Sequence, residues 1–412
     1  MTGAICSRFA ASGSGDLTSL CIDRFFESIR AECSPLLSVL SWDSIGAIVQ
    51  ASTPVTRIIS ALGSLFARKD DKLSLRTKRQ FTESAQQSRL HVTYQLHCSS
   101  QGKAVKCDDT SFLGALLLGF LELATDASGL GWYSLFKGAL RNQVWQRGPR
   151  GFSGTLEESL LSLYWICEGM RALSFDEDSR IMEWQNLDTQ TSDHIHTGFT
   201  MSRQFRGQKE GRLAHCMALL GSLNKRCLTW VYNSRRIKTH FAHSIDKSIF
   251  TENYSNKWVL HLLAGKEIVM EGFRVRDEIL HLAPSLSLEC DIGQDYPLDF
   301  IMPFYYCGLV SVSRRFIDPL WQLVNEELPL LPEEMIRSHS LVALSFIEQR
   351  LMKVNLESVF YLPLLLGISL EVRSACHRQR ILRLFQRIEN KGFVVARTFT
   401  ADIQLAWSLA PT

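Results

Sequence analysis

The strongest constraint in this 412-residue chain is the period of its apolar residues. In the last third, Leu344, Ile347, Leu351 and Val354 recur at steps of three and four, and Ile381, Leu384, Phe385 and Ile388 do the same. That spacing lays each set along one side of a helix, whereas a strand, with period two, would scatter it over both faces. The second set ends at Lys391 and Gly392, a basic last turn followed by a glycine able to take a left-handed cap.

Earlier segments follow the same rule. Leu17 to about Ala67 reads as helices broken by Pro35 and Pro54. Phe112 to Leu123 is almost wholly apolar, and DASGLG separates it from an amphipathic stretch that begins at Trp132 and ends at Arg147, Gly148 and Pro149, which predicts a helical hairpin. Thr155 and Glu158 have capping-box spacing ahead of Leu156, Leu160, Leu163 and Tyr164, which predicts a third helix. Leu213 to Val231 is helical in character again, whereas IDKSIF and EIVMEGFRVRDEIL, between His240 and Cys290, fit helix or strand.

The expected fold is therefore all-α, an irregular bundle of amphipathic helices and helical hairpins. Residues 1–16 are expected to be a disordered N-terminal segment and 17–412 one domain. Two polar intervals, near 68–110 with RKDDK and RTKR and near 176–211 with DEDSR and TQTSDHIH, have the composition of linkers or exposed insertions.

Composition narrows the function classes. With 46% hydrophobic residues there is material for one large or two closely packed helical domains. A net charge of +3 from 45 basic and 42 acidic side chains provides no global field for DNA or an anionic membrane. The apolar runs Phe112–Leu123 and Phe360–Leu370 fall short of the roughly 18 residues a membrane span needs. In the start, MTGAICSRFAASGSG, no apolar stretch follows a basic segment, so neither a secretory signal nor a membrane anchor is expected. Eleven cysteines, scattered singly without a C-x-x-C, suit a reducing compartment, and Cys6, Cys21 and Cys33 lack the spacing of a thiolate cage.

The candidates for chemistry are few. No phosphate-cradling glycine loop, nucleophile elbow, H-E-x-x-H or dinucleotide fingerprint occurs. Asp193 with His194 and His196, and the pair His240 and His243, could in principle ligate a metal, but neither has a full ligand set, so no metal and no cofactor are assigned. Arg203, Arg206, Lys209 and Arg212, with Lys225, Arg226, Arg235, Arg236 and Lys238 near Trp230 and Tyr232, could meet phosphates or form a solvated face. Trp132, Phe136, Trp145, Trp165 and Trp184 could line an inter-helix pocket or fill a core.

The stretch from Phe112 to Cys167 resembles the central region of fungus-specific transcription-factor domains. In that family an apolar helix ends in a short loop, a Trp-bearing helix carries a G-A pair and an R-G-P turn, and a helix of leucines and aromatics follows; Trp132, Gly138, Ala139, Arg147, Gly148 and Pro149 hold those positions. PLLLGISLEVRS, RQRILRLFQRIENKGFVVARTF and Trp407 are similar to the family's closing helices, and LTSLCIDRFFESI to its first. Relatives usually carry a six-cysteine zinc cluster where a short Gly/Ser-rich segment stands here. The chain thus resembles the cluster-less regulators of fungal secondary-metabolite pathways, such as the trichothecene cluster, or is part of a longer product.

The resemblance implies a nuclear transcriptional regulator without catalytic residues. It would act through a DNA-bound transcription factor or co-regulator rather than by direct DNA contact, away from membranes, with homodimerisation left open. The alternative is a helical ligand-binding or enzymatic protein of a biosynthetic cluster. The partner-binding candidates are Arg378, Arg380, Arg383 and Arg387, which the apolar stripe Ile381–Ile388 should leave together on the outside.

Overall fold

A computed structural model describes residues 15–32, 34, 36–67, 75–102, 109–147, 152, 154–179, 209–243, 252–282 and 296–409. Among them are fifteen α-helices and no strand, so the protein is all-α, as its apolar period predicts. The chain divides into two units: Met1–Tyr164 with Ile347–Thr412, and Trp165–Phe346.

In the first unit, α1 (Gly15–Glu32), α2 (Trp42–Ala51) and α3 (Thr53–Ala67) occupy the stretch expected to be broken helices, with Pro54 in the first turn of α3. Helix α3 crosses α1 so closely that a Cβ on Gly63 would sit 1.7 Å from the Cys21 carbonyl oxygen, so only glycine fits. The central element is α5 (Asp109–Thr125): every residue from Phe112 to Ala124 is buried, which is why the run shows no polar face.

The hairpin after α5 forms as expected. The Asp126 carboxylate accepts from the Ser128 amide (2.9 Å), the Ser128 hydroxyl (2.8 Å) and the Gly131 amide (3.1 Å), which fixes the loop. Helix α6 (Leu130–Leu135) runs through a π turn, Phe136–Leu140, into α7 (Arg141–Arg147). Trp132, Phe136, Leu140 and Val144 are all buried. Steps of four drift about 40° per step in a regular helix, and the wider π turn brings the later residues back to the core. Arg147 closes the hairpin: its guanidinium lies 5.1 Å from the Phe152 ring and 5.9 Å from the Phe112 ring and pairs with Asp109 at 2.7 Å.

The polar interval near 68–110 departs from expectation. Residues 75–102 form α4, a 28-residue helix (Leu75–Gly102) in which Phe81, Ala85 and Val92 are buried and Arg89 reaches Glu122 at 3.3 Å. Three small or apolar anchors spread over three turns are enough to dock a helix, yet disappear in a composition count dominated by charge.

Helix α8 (Thr155–Phe175) starts at the Thr155 expected from the sequence and passes from the first unit into the second. The second unit continues with α9 (Lys209–His243), α10 (Glu252–Leu280), α11 (Tyr296–Arg315), a 3-10 turn (Pro319–Val324) and the start of α12 (Glu333–Lys353). EIVMEGFRVRDEIL, open between helix and strand, is helical within α10, with Ile268, Val269, Val275 and Ile279 buried. Trp230 stacks on Trp321 at 4.2 Å and on His261 at 5.0 Å, an aromatic column within this unit.

The chain returns to the first unit along α12, then through a 3-10 turn (Leu356–Tyr361), α13 (Leu362–Glu371), α14 (Ala375–Asn390) and α15 (Ala396–Leu409). Leu344, Ile347, Leu351 and Val354 are fully buried, as their stripe predicts. The intervals 1–14, 68–74 and 180–208, IDKSIF, Cys6, Cys33 and Trp184 lie outside the described residues.

Candidate functional site

Helix α14 carries the four arginines. Its N-cap is Ser374, whose hydroxyl accepts from the His377 amide at 3.3 Å, and it stops at Gly392, at φ +105°, the left-handed residue expected there. Ile381, Leu384, Phe385 and Ile388 are buried as predicted.

The arginines do not share one free face. Arg380 donates to the Glu348 carboxylate of α12 at 2.6 Å, a contact that raises its pKa further. Arg387 rests on the Met352 thioether one turn further along α12. Arg378 lies 5.1 Å from the Trp407 ring of α15, with its Nε on the Val372 carbonyl at 3.4 Å. These three are half-buried and Arg383 is exposed. The outward line of α14 is Cys376, Gln379, Arg383, Gln386 and Asn390, which is polar but carries one charge. The expectation that all four remain outside is corrected here. A helical period places residues relative to their own axis, whereas Glu348 and Met352 stand on a neighbouring helix and claim the flanks.

Beneath the end of α14 lies a buried ionic cluster that sequence reasoning missed. Glu32, the last residue of α1, accepts from the backbone amides of Leu356 (2.6 Å) and Glu357 (3.0 Å), capping the 3-10 turn. The Glu357 carboxylate receives both Nε (2.9 Å) and Nη2 (3.0 Å) of Arg350, plus the Tyr361 hydroxyl at 2.6 Å. The Lys391 ammonium donates to the Val354 carbonyl and lies 3.5 Å from Asn355 Oδ1, and Asn355 in turn donates to the Ser28 hydroxyl at 3.1 Å. Both side chains of the Arg350–Glu357 pair are at most 2% exposed.

Burial governs the protons of this cluster. It pushes the Glu32 carboxyl up to about 7, against the backbone amides of Glu357, Leu356 and Asn355 that favour its charged form, and the Glu357 charge adds to the rise. Burial also pulls the Lys391 ammonium down to about 8, assisted by Arg387 and opposed by Glu32. Tyr361 is held well above the ordinary phenol range by burial and by Glu357. The arrangement can hold and exchange protons while tying α1, α12 and α14 together.

The remaining candidates separate clearly. Lys225 pairs with Asp178, Arg226 with Glu271 and Arg235 with Asp318, Arg212 donates to the His281 carbonyl at 3.0 Å, and Trp230 is buried. Arg236, Lys238 and Tyr232 are exposed. Arg203, Arg206, Asp193, His194 and His196 lie outside the described residues, and His240 and His243 are carried at the end of α9. Among the described residues no three of His, Cys, Asp and Glu gather as a metal site would require, and no helix is long and apolar enough to cross a membrane. In the first unit Trp132 and Phe136 are buried, and Phe136 stacks on Tyr164 at 5.9 Å; Trp165 is buried in the second unit, and Trp145 is exposed.

No family model, curated protein or solved structure matches the chain. One sequence signal could have found the buried cluster: Glu357 is the single charge in the largely apolar run Leu356–Leu366, and a charge in such a run needs a partner. Nothing local marks Glu32, and Lys391 reads as an ordinary basic last turn.

Proposed function

We propose that this protein is a nuclear transcriptional regulator, controlling a fungal secondary-metabolite gene cluster through a DNA-bound factor or co-regulator. The observation that carries the reading is what the resembling residues do. Trp132 is core, Arg147 is clamped between Phe112, Phe152 and Asp109, and Phe112, Phe136 and Tyr164 pack ring to ring at 5.9 to 6.0 Å. A motif spent on packing suits a scaffold that presents surfaces. An enzyme or ligand binder would be expected to turn several polar groups into the same interior. In the second unit, three of the basic residues that could have met phosphates are engaged by carboxylates, which supports indirect rather than direct contact with DNA.

The test is to fuse the chain to an unrelated DNA-binding domain and read a reporter carrying that domain's site in a fungal host. A change in reporter output is expected. R383E should weaken it, because Arg383 is the exposed charge on the outer line of α14. An intact nuclear fusion that occupies its site and leaves the reporter unchanged would shift the reading to the ligand-binding or enzymatic alternative.

A further inference from the structure

Glu32, which is buried, and Lys391, which is half-buried, are opposite charges 359 positions apart in sequence that meet the same short segment of the first unit without pairing directly. Each is held by backbone groups of one short segment: Glu32 by the amides of Leu356 and Glu357, Lys391 by the carbonyl of Val354. The charged and titratable groups around them can be named element by element. From α12 comes Arg350, committed to Glu357; from the 3-10 turn come Glu357 itself and Tyr361, hydrogen-bonded to each other; from α14 comes Arg387. Arg350 and Glu357 cancel. The Lys391 ammonium therefore depends on Glu32 for its compensating charge, and Arg387 repels it.

The two residues are not equally enclosed. Glu32 is buried at 1% exposure, whereas Lys391 is half-buried and already borders solvent. When Glu32 gains a proton, that segment holds an uncompensated ammonium beside Arg387, and solvation favours its departure.

We propose that Glu32 and Lys391 form a proton-operated latch: ionised Glu32 keeps Lys391 seated on the Val354 carbonyl, and protonated Glu32 releases Lys391 to solvent, freeing the end of α14 from that segment. The proton goes to a carboxylate oxygen and no other bond changes. The Glu32 carboxyl, raised to about 7, places the transition near neutrality, with the latch open on the acid side. Lys391, lowered to about 8 while seated, agrees in sign: in water it regains the ordinary affinity of an amine for its proton, so acid favours the released state.

The experiment is hydrogen exchange on the full chain between pH 6 and pH 8, corrected for intrinsic exchange, reading the amides of Asn390 to Ala396. Protection there should fall as pH drops towards about 7, by at most about tenfold per pH unit, and level off below it, while the amides of α5 keep theirs. In E32Q, which is neutral at every pH, protection of 390–396 should be flat and low, as in wild type at pH 6. K391M, which cannot be seated on the Val354 carbonyl, should also be flat and low. A wild-type profile that does not change with pH, or a K391M profile that keeps the wild-type slope, would overturn the latch; the second variant decides the matter if E32Q does not fold.

Discussion

Each unit buries an arginine, and comparing Arg350 with Arg171 shows two ways of accommodating a charge away from water. In the second unit Arg171 sits on α8 with its partners close in sequence: Glu168 at 2.8 and 2.9 Å, Glu177 at 2.8 Å and the Asp178 carbonyl at 3.0 Å. Glu177 is 29% exposed, so part of this network stays wet. The chain then turns at Asp176, a non-glycine residue at φ +47°, whose carboxylate accepts from Asn224 at 2.9 Å and Arg315 at 3.3 Å. In the first unit Arg350 and Glu357 are dry, and the adjoining carboxylate, Glu32, arrives from the other end of the chain. Local pairing gives Arg171 two carboxylates, one of them with solvent as a reserve. Pairing between distant segments removes the reserve and leaves Glu32 and Lys391 with shifted protons.

The largest expected effect sharpens that contrast. Arg350→Met strands Glu357 in a dry site and should cost about 3 to 5 kcal/mol of unfolding free energy, measured by denaturant titration. A loss under about 1 kcal/mol would mean that water reaches the pair and that the contrast between the units is false. Arg171→Met strands Glu168, at 4% exposure, while Glu177 can turn to solvent, and should cost no more than the Arg350 variant. If it costs more than the Arg350 variant, local pairing confers no reserve.

Acid titration gives the next effect. The folded Glu32 carboxyl lies above its unfolded value, so its contribution to stability is fully present below the unfolded pKa, about 4.5, and is lost as pH rises through about 7. E32Q lacks this term. Stability of wild type relative to E32Q should therefore fall as pH rises from 4.5 to 7 and level off above; a difference independent of pH would show that Glu32 titrates normally.

The smallest effect separates the four arginines of α14. Arg383→Glu should change stability by less than about 0.5 kcal/mol, as for other exposed charges. Arg380→Glu places like charges against Glu348 and should destabilise more. Equal effects in thermal melts would mean that α14 does not lie along α12.

The contrast also shows which features were open to sequence reasoning. Where the relevant neighbours lie within a turn or two of chain, residues suffice to read them: the stripes of α12 and α14, the helical hairpin after α5, the cap at Gly392 and the all-α class follow from period and punctuation, because a helix is made of contacts three and four residues apart. Helix α4 was missed because three anchors among charges do not stand out in a composition count. Only the tertiary structure decides which flank of α14 meets Glu348 and Met352, leaving Arg383 outside, and only it brings Glu32 to Leu356 and Lys391 to Val354. Those meetings join residues 32 to more than 320 positions apart, and no local spacing encodes a partner at that distance; helix packing selects it, and burial then sets the protons.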